Sequence, residues 1–122
     1  MSELDKAIAA LDARRSEEEA ERRRRRVAAC AFLKGFYESD VAPSTKLRER
    51  GIASHFDGAR LVLERPEEGH FSEGLLIVVG EQGEIDVGGK SLGRQNAGEE
   101  TAGKDELIRN ALIAEIINHF SL

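Results

Sequence analysis

The chain has 122 residues, of which 40% are hydrophobic and 34% charged, and its net charge is −5. That length is typical of one domain and needs no metal or disulfide to fold, and the single cysteine, Cys30, excludes an internal disulfide. The longest wholly apolar run, Leu75 to Val79, is too short to span a membrane, and no signal peptide is recognisable. We therefore predict a cytoplasmic protein without a membrane span.

The charge is distributed unevenly along the chain. Residues 1–50 carry a net charge of +2, whereas residues 51–122 carry −7. An acidic surface repels the phosphate backbone, so the second segment is not expected to bind nucleic acid. Only the N-terminal segment is basic enough to do so.

Residues 3–39 are predicted to form one long helix, because they contain no proline and a single glycine. Three apolar residues recur at helical spacing near its start: Leu4, Ile8 and Leu11. The stretch from Arg14 to Arg26 is almost entirely charged, and three glutamates each precede an arginine by four residues, the favourable orientation on a helix. The pairs are Glu18–Arg22, Glu19–Arg23 and Glu21–Arg25. We name residues 1–26 the arm and predict that residues 27–122 form a single domain. The apolar residues within 27–37 are expected to pack on the rest of that domain and so hold the long helix in place.

Two hairpins are predicted after Pro43. Asp57-Gly58 is a typical two-residue hairpin loop, which makes Phe56 face Ala59, Ser54 face Leu61 and Ile52 face Leu63. That register gathers five apolar residues on one face: Ile52, Phe56, Ala59, Leu61 and Leu63.

The second hairpin is predicted to start with the strand Leu75 to Val79, which is apolar on both faces. It therefore reads as a central strand covered on both sides, or on one side plus a subunit contact. A three-residue loop over 81–83 would place Gly83 in the left-handed conformation and pair Val79 with Ile85 and Ile77 with Val87. Turns or loops are expected at residues 66–69 and 93–103.

The last predicted element is a helix over residues 104–120. Its apolar stripe is Ile108, Leu112, Ile116 and Phe120, widened by Leu107, Ala111, Ile113 and Ile117. The order of elements predicts an α+β fold with a long N-terminal helix, about four antiparallel strands in two hairpins, and a C-terminal helix packed on the sheet.

The sequence contains no convincing catalytic or metal-binding motif. Gly88 to Ser91 ends like a phosphate-binding loop, but Glu84 stands where that loop requires glycine, so a strand end with a glycine turn is predicted. The three histidines, His55, His70 and His119, lack a metal-ligand spacing. We predict no cofactor, no metal and no catalytic residue.

The arm is the most unusual feature. It holds five consecutive arginines: Arg22, Arg23, Arg24, Arg25 and Arg26. A helix of this kind can be simply solvated, dock a partner or bind a polyanion.

The favoured hypothesis is a non-catalytic interaction or assembly module, adaptor or regulatory. It would form a coiled-coil homodimer, or bind another protein, through Leu4, Ile8, Leu11 and Arg22 to Arg26. One alternative is a nucleic-acid-associated regulator that uses Arg14 to Arg26. The other is a small enzyme with a cleft between the sheet and the C-terminal helix.

Overall fold

The computed structural model describes residues 2–66, 72–94 and 102–122, and its fold is α+β. In chain order the elements are α1 (Glu3–Phe36), a π-helical turn (Tyr37–Val41), α2 (Thr45–Glu49), β1 (Ala53–Phe56), β2 (Arg60–Pro66), β3 (Ser72–Val79), β4 (Glu84–Val87), β5 (Lys90–Arg94) and α3 (Ala102–Phe120). Most of the two predicted loops, and His70, lie outside the described residues. No helix in the described ranges is long and apolar enough to cross a membrane.

The long N-terminal helix is confirmed. The hydroxyl oxygen of Ser2 accepts a hydrogen bond from the Asp5 amide at 3.1 Å and so caps the first turn. The α-helical hydrogen bonds end at Phe36, and the chain continues as one wider turn in which the Ala42 amide donates to the Tyr37 carbonyl at 2.7 Å. Pro43 follows this turn, where a helix cannot readily continue.

The sheet is an antiparallel meander in the order β1-β2-β3-β4-β5, with five strands instead of the expected four. The fifth strand arises at Gly88 and Gly89, which have φ angles of 56° and 89°. Two consecutive residues with positive φ form the tight turn that matches the twist of a hairpin. The predicted glycine turn is therefore confirmed, but it leads into another strand and not into a loop.

The predicted pairing of the second hairpin is confirmed, since Val79 pairs with Ile85 and Ile77 with Val87. The register predicted for the first hairpin is wrong by two residues, because Phe56 pairs with Leu61. Residues 57–59 connect the two strands, and the Asp57 carboxylate accepts a hydrogen bond from the amide of Arg60, the first residue of β2, at 3.1 Å.

The shift of two residues leaves the burial pattern of the first hairpin unchanged, because side chains alternate between the two faces of a strand. Ile52, Leu61 and Leu63 are buried as predicted, whereas Phe56 and Ala59 are half-buried. In the connection, slight desolvation raises the pKa of Asp57, but the hydrogen bonds and positive charge of Arg60 outweigh it and hold the pKa below its ordinary value.

One apolar core lies between a single face of the sheet and the two long helices. Its members are Ala29, Leu33, Phe36, Val41, Leu47, Ile52, Leu61, Leu63, Leu75, Ile77, Val79, Ile85, Val87, Ile108, Leu112, Ile116 and Phe120. Cys30 packs partly buried against this core, in line with its apolar neighbours in the sequence. The stripe predicted for α3 is thus confirmed, although two residues expected to widen it, Leu107 and Ile117, are exposed.

The other face of the sheet carries Val62, Leu76 and Val78. Leu76 is exposed and the two valines are half-buried. The described residues bury one face of β3 and leave Leu76 exposed on the other, so what covers the second face, the chain itself or a subunit contact, stays a prediction.

Candidate interaction surface

Most of the arm extends beyond the body of the protein. Every residue from Ser2 to Ala20 is exposed. At 1.5 Å per residue, α1 is about 51 Å long, and its first 18 residues account for about 27 Å. The division of the chain into an arm over 1–26 and a domain over 27–122 stays a prediction, but side-chain burial on α1 begins at Glu21.

Ion pairs along the helix stabilise this exposed segment. Two of the three predicted pairs form, with Arg23 Nη2 3.5 Å from Glu19 Oε1 and Arg25 Nη1 3.7 Å from Glu21 Oε1. Glu21 also pairs with Arg24. Each such pair contributes only a few tenths of a kcal/mol, about 0.2–0.5, but together they allow the helix to persist without burying apolar surface.

Arg22 and Arg26 differ from the three arginines between them. Neither forms an ion pair within the described residues, and both line one recess together with Glu19, Arg23 and Glu81. The five arginines are therefore not equivalent, and two of them keep their charge available on the surface. The sequence alone could not separate them, since it predicted a partner for Arg22 at Glu18.

The arm leaves the body where the loop between β3 and β4 packs against α1. A Cβ atom added to Gly83 would lie 2.8 Å from the carbonyl carbon and oxygen of Arg25, so the backbones are in direct contact. The Arg25 side chain is only 20% exposed, and its Nε is buried without a hydrogen-bond partner among the described residues. The contact between Gly83 and Arg25 marks the position along α1 beyond which the helix no longer packs on the body.

The apolar residues of the arm lie on one side of α1. Leu4, Ile8 and Leu11 are 69%, 48% and 42% exposed. At 100° per residue they fall within the same sector of about 80° as the buried residues Ala29, Leu33 and Phe36. The helix face that packs on the sheet therefore continues beyond it as an exposed apolar surface.

The structure does not bring the histidines His55 and His119 together into a site. His55 is exposed on the outer face of the sheet, and His119 lies edge-on to Phe120 with ring centres 4.8 Å apart. Within the described ranges no three His, Cys, Asp or Glu side chains are grouped as metal ligands would be.

A groove of about 260 Å³ has a mainly apolar lining. It lies between the end of α1, α2 and the C-terminal half of α3, and not between the sheet and α3 where the enzyme hypothesis placed a cleft. Its lining includes Asp40, whose Oδ2 is 3.2 Å from Arg109 Nε, an ion pair without hydrogen-bond alignment. The sequence could not predict this ion pair, because Asp40 and Arg109 are 69 residues apart in the chain. The pair connects the π-helical turn that follows α1 to α3 and does not present a catalytic dyad.

No protein-family model, curated protein or solved structure is significantly similar to this chain.

Proposed function

We propose that this chain is a non-catalytic assembly module that associates through its arm, with a second copy of itself as the partner. The observation that carries the proposal is the exposure of Leu4, Ile8 and Leu11 on one side of a helix that extends past the body. Exposed apolar residues are ordinary when they are scattered. Three at successive helical turns form a stripe of the kind that helices bury against one another.

The charges of the arm support the same proposal. The Ser2 cap and the pair between Glu3 and Lys6 support the first turns of the helix, and the pairs between residues 19 and 25 support it further along. The stripe is therefore already presented in a helical conformation before association. A pre-formed helix loses less conformational entropy on binding than a segment that must fold first.

We expect the intact chain to dimerise in a concentration-dependent manner, and the triple variant Leu4→Gln, Ile8→Gln, Leu11→Gln to stay monomeric. Glutamine has nearly the helix propensity of leucine, so the arm keeps its helix while losing its apolar surface. Sedimentation equilibrium of both proteins over a range of concentrations measures the difference, and circular dichroism checks the helix content.

A matched control replaces two exposed apolar residues that lie elsewhere. Val27 and Leu107 are 63% and 70% exposed, and their replacement by glutamine should leave the dissociation constant unchanged. A wild-type protein that is monomeric at every concentration, or a triple variant that dimerises as well as the wild type, contradicts the proposal.

A nucleic-acid-associated role is the second candidate, favoured by the unpaired charges of Arg22 and Arg26. We expect the variant Arg22→Gln, Arg26→Gln to weaken binding to a fluorescent oligonucleotide by about tenfold, because each phosphate contact contributes a salt-dependent term. The control Arg23→Gln, Arg24→Gln removes the same charge from residues that are already paired with glutamates. Equal losses in both variants, or binding that is insensitive to salt, would count against this role.

A further inference from the structure

We infer that two copies pair their arms antiparallel, with Ile8 of each copy packed against Leu11 of the other and Leu4 level with Arg15. This inference rests on the proposed function and specifies how the two helices meet. It follows from the continuous face of α1, from the position of the body, and from the order of charges along the arm.

The position of the body excludes a parallel pair. The stripe of Leu4, Ile8 and Leu11 lies on the helix face that packs on the sheet further along, through Ala29 and Leu33. A second helix running parallel along this face would reach the loop at Gly83 and then enter the volume that the sheet occupies. An antiparallel helix approaches from the other direction and ends before the body begins.

The stripe has the spacing of the core positions of a coiled coil, which an antiparallel pair can use as well as a parallel one. Leu4, Ile8, Leu11 and Arg15 follow one another at intervals of four, three and four residues, as do core positions of a coiled coil. With Ile8 against Leu11 of the second copy, the two-fold axis generates the same contact twice at the centre. At each end Leu4 packs on the aliphatic stem of Arg15, whose charged head stays in water.

The charges of the arm complement each other in this orientation. Arg15 of one copy comes level with the first turn of the other, which carries Glu3 and Asp5, and its own helix places Asp12 three residues before it. The arginine therefore lies between carboxylates of both copies. A parallel pair in register would instead place the five arginines 22–26 of one copy beside the same five of the other, at a repulsive cost.

The two antiparallel arms would be in contact over about four helical turns and would bury few apolar residues. Interfaces below about 1,200 Å² belong to weak and transient complexes. We therefore expect a dimer that dissociates in the micromolar range and weakens as salt is added, because part of the attraction is between exposed charges.

The orientation is tested by disulfide cross-linking of the full chain in a Cys30→Ala background. One preparation carries Leu4→Cys, the other carries Arg15→Cys and an affinity tag, and the two are mixed and oxidised. In the inferred pair, residues 4 and 15 of different copies are level, whereas 4 and 4, or 15 and 15, are about 16 Å apart along the axis, too far for a disulfide. We expect the mixed disulfide to dominate.

Predominant 4–4 and 15–15 disulfides from a protein that dimerises would overturn the antiparallel pair and leave the proposed function standing. A dimer seen by sedimentation that forms none of these disulfides would also overturn it. A monomer at every concentration would overturn both the inference and the proposed function.

A charge exchange provides a second, independent readout on the same chain. Arg15→Glu should weaken dimerisation about fivefold or more by opposing the second copy's Glu3 and Asp5. Adding Asp5→Arg should restore most of the loss, with helix content unchanged by circular dichroism. A double variant that stays as weak as Arg15→Glu would contradict the inferred pairing.

Discussion

Replacing Leu112 with alanine is expected to lower the free energy of unfolding by about 2–5 kcal/mol. Leu112 lies at the centre of the α3 stripe and is fully buried in the core that α3 shares with α1 and the sheet. Its truncation removes the transfer free energy of the lost methyl groups and leaves a cavity that the surrounding side chains fill only in part. Small domains have only about 5–15 kcal/mol of total stability, so the effect should be visible in urea denaturation followed by circular dichroism.

Leu107 provides the matched control, since it lies on the same helix five residues earlier and is 70% exposed. Leu107→Ala makes the same chemical change and the same small change in helix propensity, and it should shift the free energy of unfolding by about 0.5 kcal/mol at most. Similar losses at the two positions would mean that α3 does not pack on the sheet through the face described above.

Replacing Gly83 with alanine is expected to cost about 2–4 kcal/mol, from two causes that add. Gly83 has a φ of 79°, a conformation that costs a residue with a Cβ atom about 1 kcal/mol or more. The added Cβ would also come within 2.8 Å of the Arg25 backbone, and neither the hairpin loop nor α1 can move without disturbing the core contacts of the strands beside it. Denaturation in urea measures the combined loss.

Gly51→Ala separates the two causes. Gly51 has a similar φ of 73°, and the position of its Cβ has nothing within 4 Å, so only the conformational term of about 1 kcal/mol should appear. If Gly83→Ala costs no more than Gly51→Ala, the close contact between the loop and the arm would be refuted, and with it the steric argument against a parallel dimer.

Much of the candidate surface could be predicted from the sequence, because helical periodicity is a local property. Leu4, Ile8 and Leu11 were expected on one side of a helix, and they lie there. The sequence also predicted ion pairs for Arg23 and Arg25, since pairs four residues apart depend only on the geometry of one helix. It also predicted a pair between Glu18 and Arg22, which does not form among the described residues; the pairs that do form involve Glu19 and Glu21.

Local patterns therefore determined the α+β class, the long helix, the α3 stripe and the buried side of the four predicted strands, but not the existence of β5. The register of the first hairpin is also a local property, but the two-residue turn rule missed it, because hydrogen bonds between Asp57 and Arg60 go with a longer connection. Tertiary structure decided the exposure of Leu107, the pairing of Asp40 with Arg109, and the point at which the Gly83 loop meets α1. These features depend on which surfaces meet across long separations in the chain, and periodicity carries no information about that.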